Sequence, residues 1–217
     1  IIGNYYLIKK QFSTLKIRIP INKINKVEDL VNTHALQILN VPIKFKNPFK
    51  VEKKINSKYL KNCLILGHNL SINKKILGFI NCPIDKKKTF KSANTGVTEF
   101  LAKKSKLNNT EVMMIYNNKL SVVPITTHIN LKNVHKKITV ELIKKKIITL
   151  HKFYLDKLKK KPVIAVLGLN PHNAEYKKDS EEMRTIIPSI KYLKQKKYRV
   201  LGPFSADTIF LNKKKYN

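Results

Sequence analysis

Two histidines in this chain each follow an apolar segment, and an imidazole at the end of a strand is a simple way to present a neutral nitrogen ligand or a proton carrier. Residues 162–175 read Pro-Val-Ile-Ala-Val-Leu-Gly-Leu-Asn-Pro-His-Asn-Ala-Glu, so the β-branched run Val163–Leu167 passes straight into a loop carrying His172. Such a run suits a buried parallel strand. In an open α/β sheet, ligands bind outside the carboxyl ends of the strands, and His172 falls there. Leu120–Ile125 has the same logic and ends in Thr126-Thr127-His128. Taken alone, each histidine is more often a satisfied structural side chain than a ligand. Together they put two imidazoles at two predicted strand ends, where a ligand or metal would be met.

Several elements must position these residues. Glu111–Tyr116 and Leu120–Ile125 flank Asn117-Asn118, a dipeptide tolerant of left-handed backbone, which predicts an antiparallel hairpin whose second strand feeds His128. Val140, Ile143, Ile147, Leu150, Tyr154 and Leu158 recur at spacings of three and four, predicting one long amphipathic helix between Thr139 and Lys160. Pro162 then leads into the Val163–Leu167 strand. Asp179-x-x-Glu182 resembles a capping box for a helix to about Lys197, kinked at Pro188, and Arg199–Leu201 reads as the next strand, ending at Gly202-Pro203. Strand, helix and strand in that order predict a βαβ unit and an α/β fold.

The amino-terminal part is less regular. Tyr5–Phe12 and Val27–Leu39 are read as helical, with strand-like Leu15–Ile21 between them. The segment 41–58 is read as an exposed connection, and Leu60–Ile72 as either a strand or a buried helix. Lys75–Asn81 reads as a core strand running into Cys82-Pro83.

Composition narrows the function class. With 217 residues, 42% of them hydrophobic, the chain is a globular protein with one good core or two small lobes. No apolar run is long enough to cross a bilayer, and Ile1-Ile2-Gly3 carries no export signal. Cys63 and Cys82 lack a C-x-x-C spacing, which fits a reducing, cytoplasmic compartment without a disulfide framework. The net charge of +32 suggests polyanion binding, yet among 45 basic residues only Arg18, Arg184 and Arg199 are arginines. Specific nucleic-acid readout favours arginine, so the charge points instead to a phosphorylated substrate and to nonspecific attraction.

Four motifs in order, Thr95-Gly-Val-Thr-Glu-Phe-Leu-Ala102, Thr126-Thr-His-Ile-Asn-Leu131, Gly168-Leu-Asn-Pro-His172 and Gly202-Pro-Phe-Ser-Ala-Asp-Thr-Ile-Phe210, resemble the 4-hydroxythreonine-4-phosphate dehydrogenase family of pyridoxal phosphate biosynthesis. The resemblance implies a two-lobed α/β/α fold similar to isocitrate and isopropylmalate dehydrogenases, with approximate lobes 1–80 with 163–217 and 81–162. It implies a homodimer with the active site near the interface. The implied reaction is NAD-dependent oxidation and decarboxylation of 4-phosphooxy-L-threonine (4-hydroxythreonine 4-phosphate) to 3-amino-2-oxopropyl phosphate. It also implies a divalent metal, zinc, magnesium or cobalt, with His128 and His172 matching two of the metal ligands. A metal suits such chemistry by acidifying the bound alcohol and stabilising the enolate left after loss of carbon dioxide.

Asp207 matches the acidic residue of the family's Ala-Asp-Thr motif and is expected either to handle a proton or orient substrate, or to cap a helix beginning near Thr208. Lys86 matches a lysine that follows a Thr-Gly-Pro turn, here Asn81-Cys82-Pro83; it either binds phosphate or aids proton transfer, or is one more solvated lysine. Thr98 matches a substrate-contacting threonine. Asn170 and Asn173 are expected to orient the histidine loop or to make local turns.

The chain departs from the family at Val97, where a histidine is expected, and valine cannot donate a hydrogen bond. The family's Gly-Asp/Glu-Pro-Ala-Gly-Ile-Gly opening, its third metal histidine and its glycine-rich cofactor segment have no counterpart between Ile1 and Asn217, so the chain is expected to be the central part of such an enzyme, lacking both ends. No Gly-x-Gly-x-x-Gly loop is present, and NAD binding follows from the resemblance alone. A noncatalytic binding or dimerisation module of the same fold is the alternative, followed by a basic nucleic-acid-binding protein.

Overall fold

The structure, a computed structural model, describes residues 1–90, 96–107 and 111–211. It is α/β, and it divides into two compact units, Ile1–Lys104 and Ser105–Asn217.

The first unit is built on a three-stranded parallel sheet in the order β1 (Ile2–Gly3), β3 (Leu36–Asn40), β2 (Ile21–Ile24). The central strand pairs Leu39 with both Ile2 and Ile24. Ile38 and Leu39 are buried with Leu7 of α1 (Tyr5–Thr14) and Leu64 of α2 (Lys53–Ile72). Asn4 starts α1. Its Oδ1 accepts the Leu7 N–H at 2.9 Å, and its Nδ2 donates to the Val41 carbonyl at 2.9 Å. Its backbone N–H donates to the Tyr59 hydroxyl of α2 at 2.8 Å. One asparagine thus joins strand, helix and neighbouring helix.

The α1 expectation holds, but the helix read over Val27–Leu39 does not form. A single 3-10 turn covers Val27–Asp29, where Asp29 Oδ2 accepts the N–H groups of Asn25 and Lys26 at 3.2 and 3.1 Å. Leu36–Asn40 is drawn into the sheet instead, because an extended segment there is hydrogen-bonded on both edges. The strand-like stretch begins later than expected, at Ile21, and the last six residues of the expected connection join the ambiguous segment in the single helix α2. Lys75–Asn81 is not a strand either. Leu77 and Ile80 are 100% exposed, and Phe79 packs against the helix face at Gly67. Apolar composition suggested a core strand there, but among the described residues no strand pairs with it. The unit continues through the short α3 (Lys86–Phe90) and α4 (Val97–Lys104).

The second unit contains the βαβ unit read from the sequence. After the one-turn α5 (Val134–Lys137), α6 (Val140–Leu158) is capped by Thr139, whose Oγ1 accepts the Leu142 N–H at 3.1 Å, and it ends at left-handed Lys159. Its Ile143 and Ile147 pack with Ile186, Ile190 and Leu193 around Val200, so the stripe at spacings of three and four faces the core as expected. Strand β4 (Ile164–Leu167) pairs in parallel with β5 (Val200–Phe204), and α7 (Ile187–Gln195) lies between them in sequence.

A π-helical turn at Glu182–Ile186 precedes α7, and Pro188 sits in the first turn of α7, where its missing N–H costs nothing. Gly202 has φ +117, and a side chain there would collide with the Val166 carbonyl of β4. The predicted hairpin is reduced to one residue pair: Ile115 and Val122 exchange hydrogen bonds of 2.8 and 2.9 Å around the Asn117-Asn118 turn, and the pairing goes no further among the described residues. Among the described residues no helix is long and apolar enough to cross a membrane.

Candidate active site

Because β4 and β5 are parallel neighbours, their carboxyl ends open on the same side. The loop after β4 carries His172, and the turn after β5 carries Asp207. Gly168 donates to the Phe204 carbonyl at 2.9 Å, which carries the pairing to the last residue of β5. Both side chains are exposed there. The Asp207 carboxyl is held below the usual carboxylate range, foremost by the Ser205 hydroxyl, and further by backbone N–H groups and His172. Asp207 lies in the turn before the 3-10 segment Ile209–Leu211, two residues ahead of its start.

The His172 loop has an unusual backbone. His172, Asn173, Ala174, Glu175 and Tyr176 all have φ between 48° and 57°, the left-handed region. None is glycine, and each such residue costs roughly 1–2 kcal/mol. Backbone of this kind persists only where its surroundings hold it.

Two sets of contacts do so. Glu182, 0% exposed, accepts the N–H groups of Leu169 and Asn170 at 2.8 Å each through Oε1, and the Asn170 side-chain amide at 3.0 Å through Oε2. Asn173, buried beneath the loop, donates to Tyr176 Oη at 3.3 Å and to the Pro203 carbonyl at 3.4 Å. A Cβ at Gly168 would collide with Asn173 Oδ1 and lie 3.2 Å from Glu182 Oε1, so this glycine lets both side chains fold under the loop. Burial by itself would raise the Glu182 pKa. The hydrogen bonds from Asn170 and Leu169 outweigh it and leave the carboxyl below its ordinary value.

The capping box predicted at Asp179-x-x-Glu182 is therefore replaced by a different arrangement. Ser180 Oγ accepts the Met183 N–H at 3.3 Å, while Glu182 turns back to the loop. Sequence reasoning missed this role because both partners are a dozen or more residues away. The available signal was a second acidic residue, Glu182 directly after Glu181, next to an apolar helix face.

His128 follows the Ile115–Val122 pair in an exposed turn at φ +56. Among the described residues, no group of three or more His, Cys, Asp or Glu side chains could hold a metal. His172 and Asp207 come together, but with His128 they do not make such a group. The donor set of the described residues thus falls short of a catalytic metal site, which normally uses three protein ligands.

In the first unit, the Lys86 side chain lies beside Gly96, and Thr98 follows in the first turn of α4. Ser57 Oγ donates to the Thr89 carbonyl at 2.7 Å, and the Phe90 and Phe100 rings meet at 5.2 Å, which fixes α3 against α2 and α4. Lys86 Nζ would lie 3.6 Å from a Cβ on Gly96, and Glu99 Oε2 accepts the Gly96 N–H at 2.7 Å. A carboxylate thus sits at the amino end of α4 with a lysine beside it, as the positive end of a helix favours. Val97 begins the helix and offers no polar atom. Thr95, the first residue of that motif, lies outside the described residues.

A family model described as pyridoxal phosphate biosynthetic protein PdxA matches residues 1–217, the whole chain. The chain belongs to the PdxA family. The 4-hydroxythreonine-4-phosphate dehydrogenase of Aquifex aeolicus is 37% identical over 204 residues, covering 90% of this chain and 61% of that protein. The enzyme of the same name from Hydrogenobaculum is 34% identical over 220 residues, covering 99% of this chain and 67% of that protein. The crystal structure of 4-hydroxythreonine-4-phosphate dehydrogenase from Klebsiella pneumoniae shares the fold, with a TM-score of 0.85 at 24% identity over 98% of this chain and 67% of that one. The chain spans about three fifths to two thirds of the length of these PdxA relatives. The α/β fold expected from the four motifs is thereby borne out.

Proposed function

We propose that the protein oxidises the hydroxyl of 4-hydroxythreonine 4-phosphate with NAD and decarboxylates the product to 3-amino-2-oxopropyl phosphate, in pyridoxal phosphate biosynthesis. The observation that carries this reading is the juxtaposition of His172 and Asp207 at neighbouring parallel strand ends, in a chain that matches the PdxA family from end to end.

In this reading Asp207 is the proton-handling carboxylate. Its depressed pKa keeps it ionised near neutrality, which suits it to orient a hydroxyl and makes it a weaker proton acceptor than an ordinary carboxylate. His172 shares that proton or serves as a nitrogen ligand. Lys86, beside the amino end of α4, attracts the substrate's phosphate, and Thr98 hydrogen-bonds the substrate. When bound, the nicotinamide supplies hydride acceptance. No Gly-x-Gly-x-x-Gly loop is present between Ile1 and Asn217, and NAD use follows from membership of the family.

A divalent metal, with His128 and His172 among its ligands, belongs to this reading only as a proposal, because three donors do not converge among the described residues. The lobes 1–80 with 163–217 and 81–162, the homodimer and a cytoplasmic site are kept on the same footing. The last is supported by free Cys63 and Cys82.

The test is NADH formation from 4-hydroxythreonine 4-phosphate. Substrate-dependent turnover that vanishes in His172→Ala and Asp207→Asn supports the reading, and a folded protein without turnover overturns it. A second reading, a noncatalytic member of the family, is favoured by Val97, which stands where the resemblance leads one to expect a histidine. That same folded but inactive result would establish it.

A further inference from the structure

We infer that Glu182 is a positioning residue for the reaction, setting the place of His172 through the backbone of Leu169 and Asn170. This rests on the reading of His172 given above.

Glu182 lies 13 residues from Leu169, yet both of its carboxylate oxygens are engaged by the loop. Burying an ionised carboxylate is costly unless its lone pairs are satisfied, so a fully buried one is informative about what it holds. Capping the following helix does not require it, because Ser180 Oγ already accepts the Met183 N–H. What it holds is the stretch immediately before the five left-handed residues that begin at His172. The grip passes onward within the loop: the Asn173 N–H donates to the Asn170 carbonyl at 3.1 Å, closing a turn around His172. Asn173 anchors the far side of that turn to Pro203 of β5, the strand that leads to Asp207. His172 therefore stands between two fixed points, one of them clamped by Glu182. Without that clamp, the strained turn has less to oppose its relaxation.

The test compares Glu182→Asp, Glu182→Gln and His172→Ala in the whole gene product. Turnover is read together with hydrogen exchange of the Leu169 and Asn170 amides. Aspartate keeps the charge but withdraws it by one methylene, whereas glutamine keeps an acceptor in place. With Glu182→Asp, slow exchange at both amides should be lost and kcat should fall about 10- to 100-fold, as is typical for residues that orient a functional side chain. KM should move less, and Glu182→Gln should retain most of the protection and most of kcat.

Unchanged exchange in Glu182→Asp would overturn the clamp, and lost protection with parental kcat would overturn its relevance to the reaction. Parental turnover in His172→Ala would overturn the reading of His172, and the positioning role with it. Loss in His172→Ala with parental Glu182 variants would overturn the positioning role alone. Should Glu182→Asp not fold, Asn170→Ala removes the side-chain partner while leaving the carboxylate. It should lower kcat without moving KM, and parental kcat there overturns the proposal.

Discussion

Asp207 and His172 follow the carboxyl ends of adjacent parallel strands, 35 residues apart in sequence, and the Asp207 carboxyl is held below its usual range foremost by the Ser205 hydroxyl, with a smaller contribution from His172. Both side chains are exposed, so their replacement should leave the fold within about 0.5 kcal/mol of the parent. Asp207→Asn should lower kcat by about 10²- to 10⁴-fold, the usual contribution of a positioned acid or base. Steady-state kinetics beside a thermal melt checks this. A loss of activity that tracks a lowered melting temperature would mark Asp207 as a turn cap only.

Val97→His restores the residue that the family resemblance leads one to expect at the first turn of α4. It should lower KM for the phosphorylated substrate severalfold, since a new hydrogen bond to a charged group contributes about 1.5–3 kcal/mol at best. Kinetics at constant ionic strength is the measurement, because a chain of net charge +32 attracts phosphates nonspecifically. An unmoved KM would refute the matched position.

Stability should depend on pH through Glu182. Its folded pKa lies below the ordinary 4.5, so the unfolded chain binds the proton more readily. The contribution is fully present above that ordinary value and is lost as pH falls through the lower folded value. Melting temperature measured from pH 6 downward should fall below about pH 4.5, and the fall should be shallower in Glu182→Gln. Glu181, whose Oε2 accepts the Asn170 amide at 2.9 Å, is a second carboxylate on the same loop and should be tested in the same series as Glu181→Gln. Identical slopes for parent and Glu182→Gln would contradict the assignment.

Asn4→Ala removes the α1 cap and leaves the Val41 carbonyl without its side-chain donor in a site that is only 4% exposed. A lost cap costs about 1 kcal/mol and an unsatisfied buried acceptor about 1–3 kcal/mol, so a destabilisation of about 2–4 kcal/mol is expected. Chemical denaturation measures it. A change below about 0.5 kcal/mol would mean that water replaces the side chain at no cost.

The sequence by itself determined the elements whose signals are local. The spacing of Val140, Ile143, Ile147 and Leu150 specified α6, because a helix brings residues three and four apart onto one face. The run Val163–Leu167 specified β4, and the loop motifs at His172 and Asp207 specified the family. Tertiary structure decided the rest. Leu36–Asn40 is a strand because two neighbours pair with it, and partners are not visible in a single segment. Lys75–Asn81 has the composition of a strand but no strand beside it among the described residues, so Leu77 and Ile80 face solvent. Glu182 looked like a helix cap from its spacing to Asp179. It holds the His172 loop instead, because a buried carboxylate goes to whichever donors the fold brings within reach, and those donors come from the end of another strand.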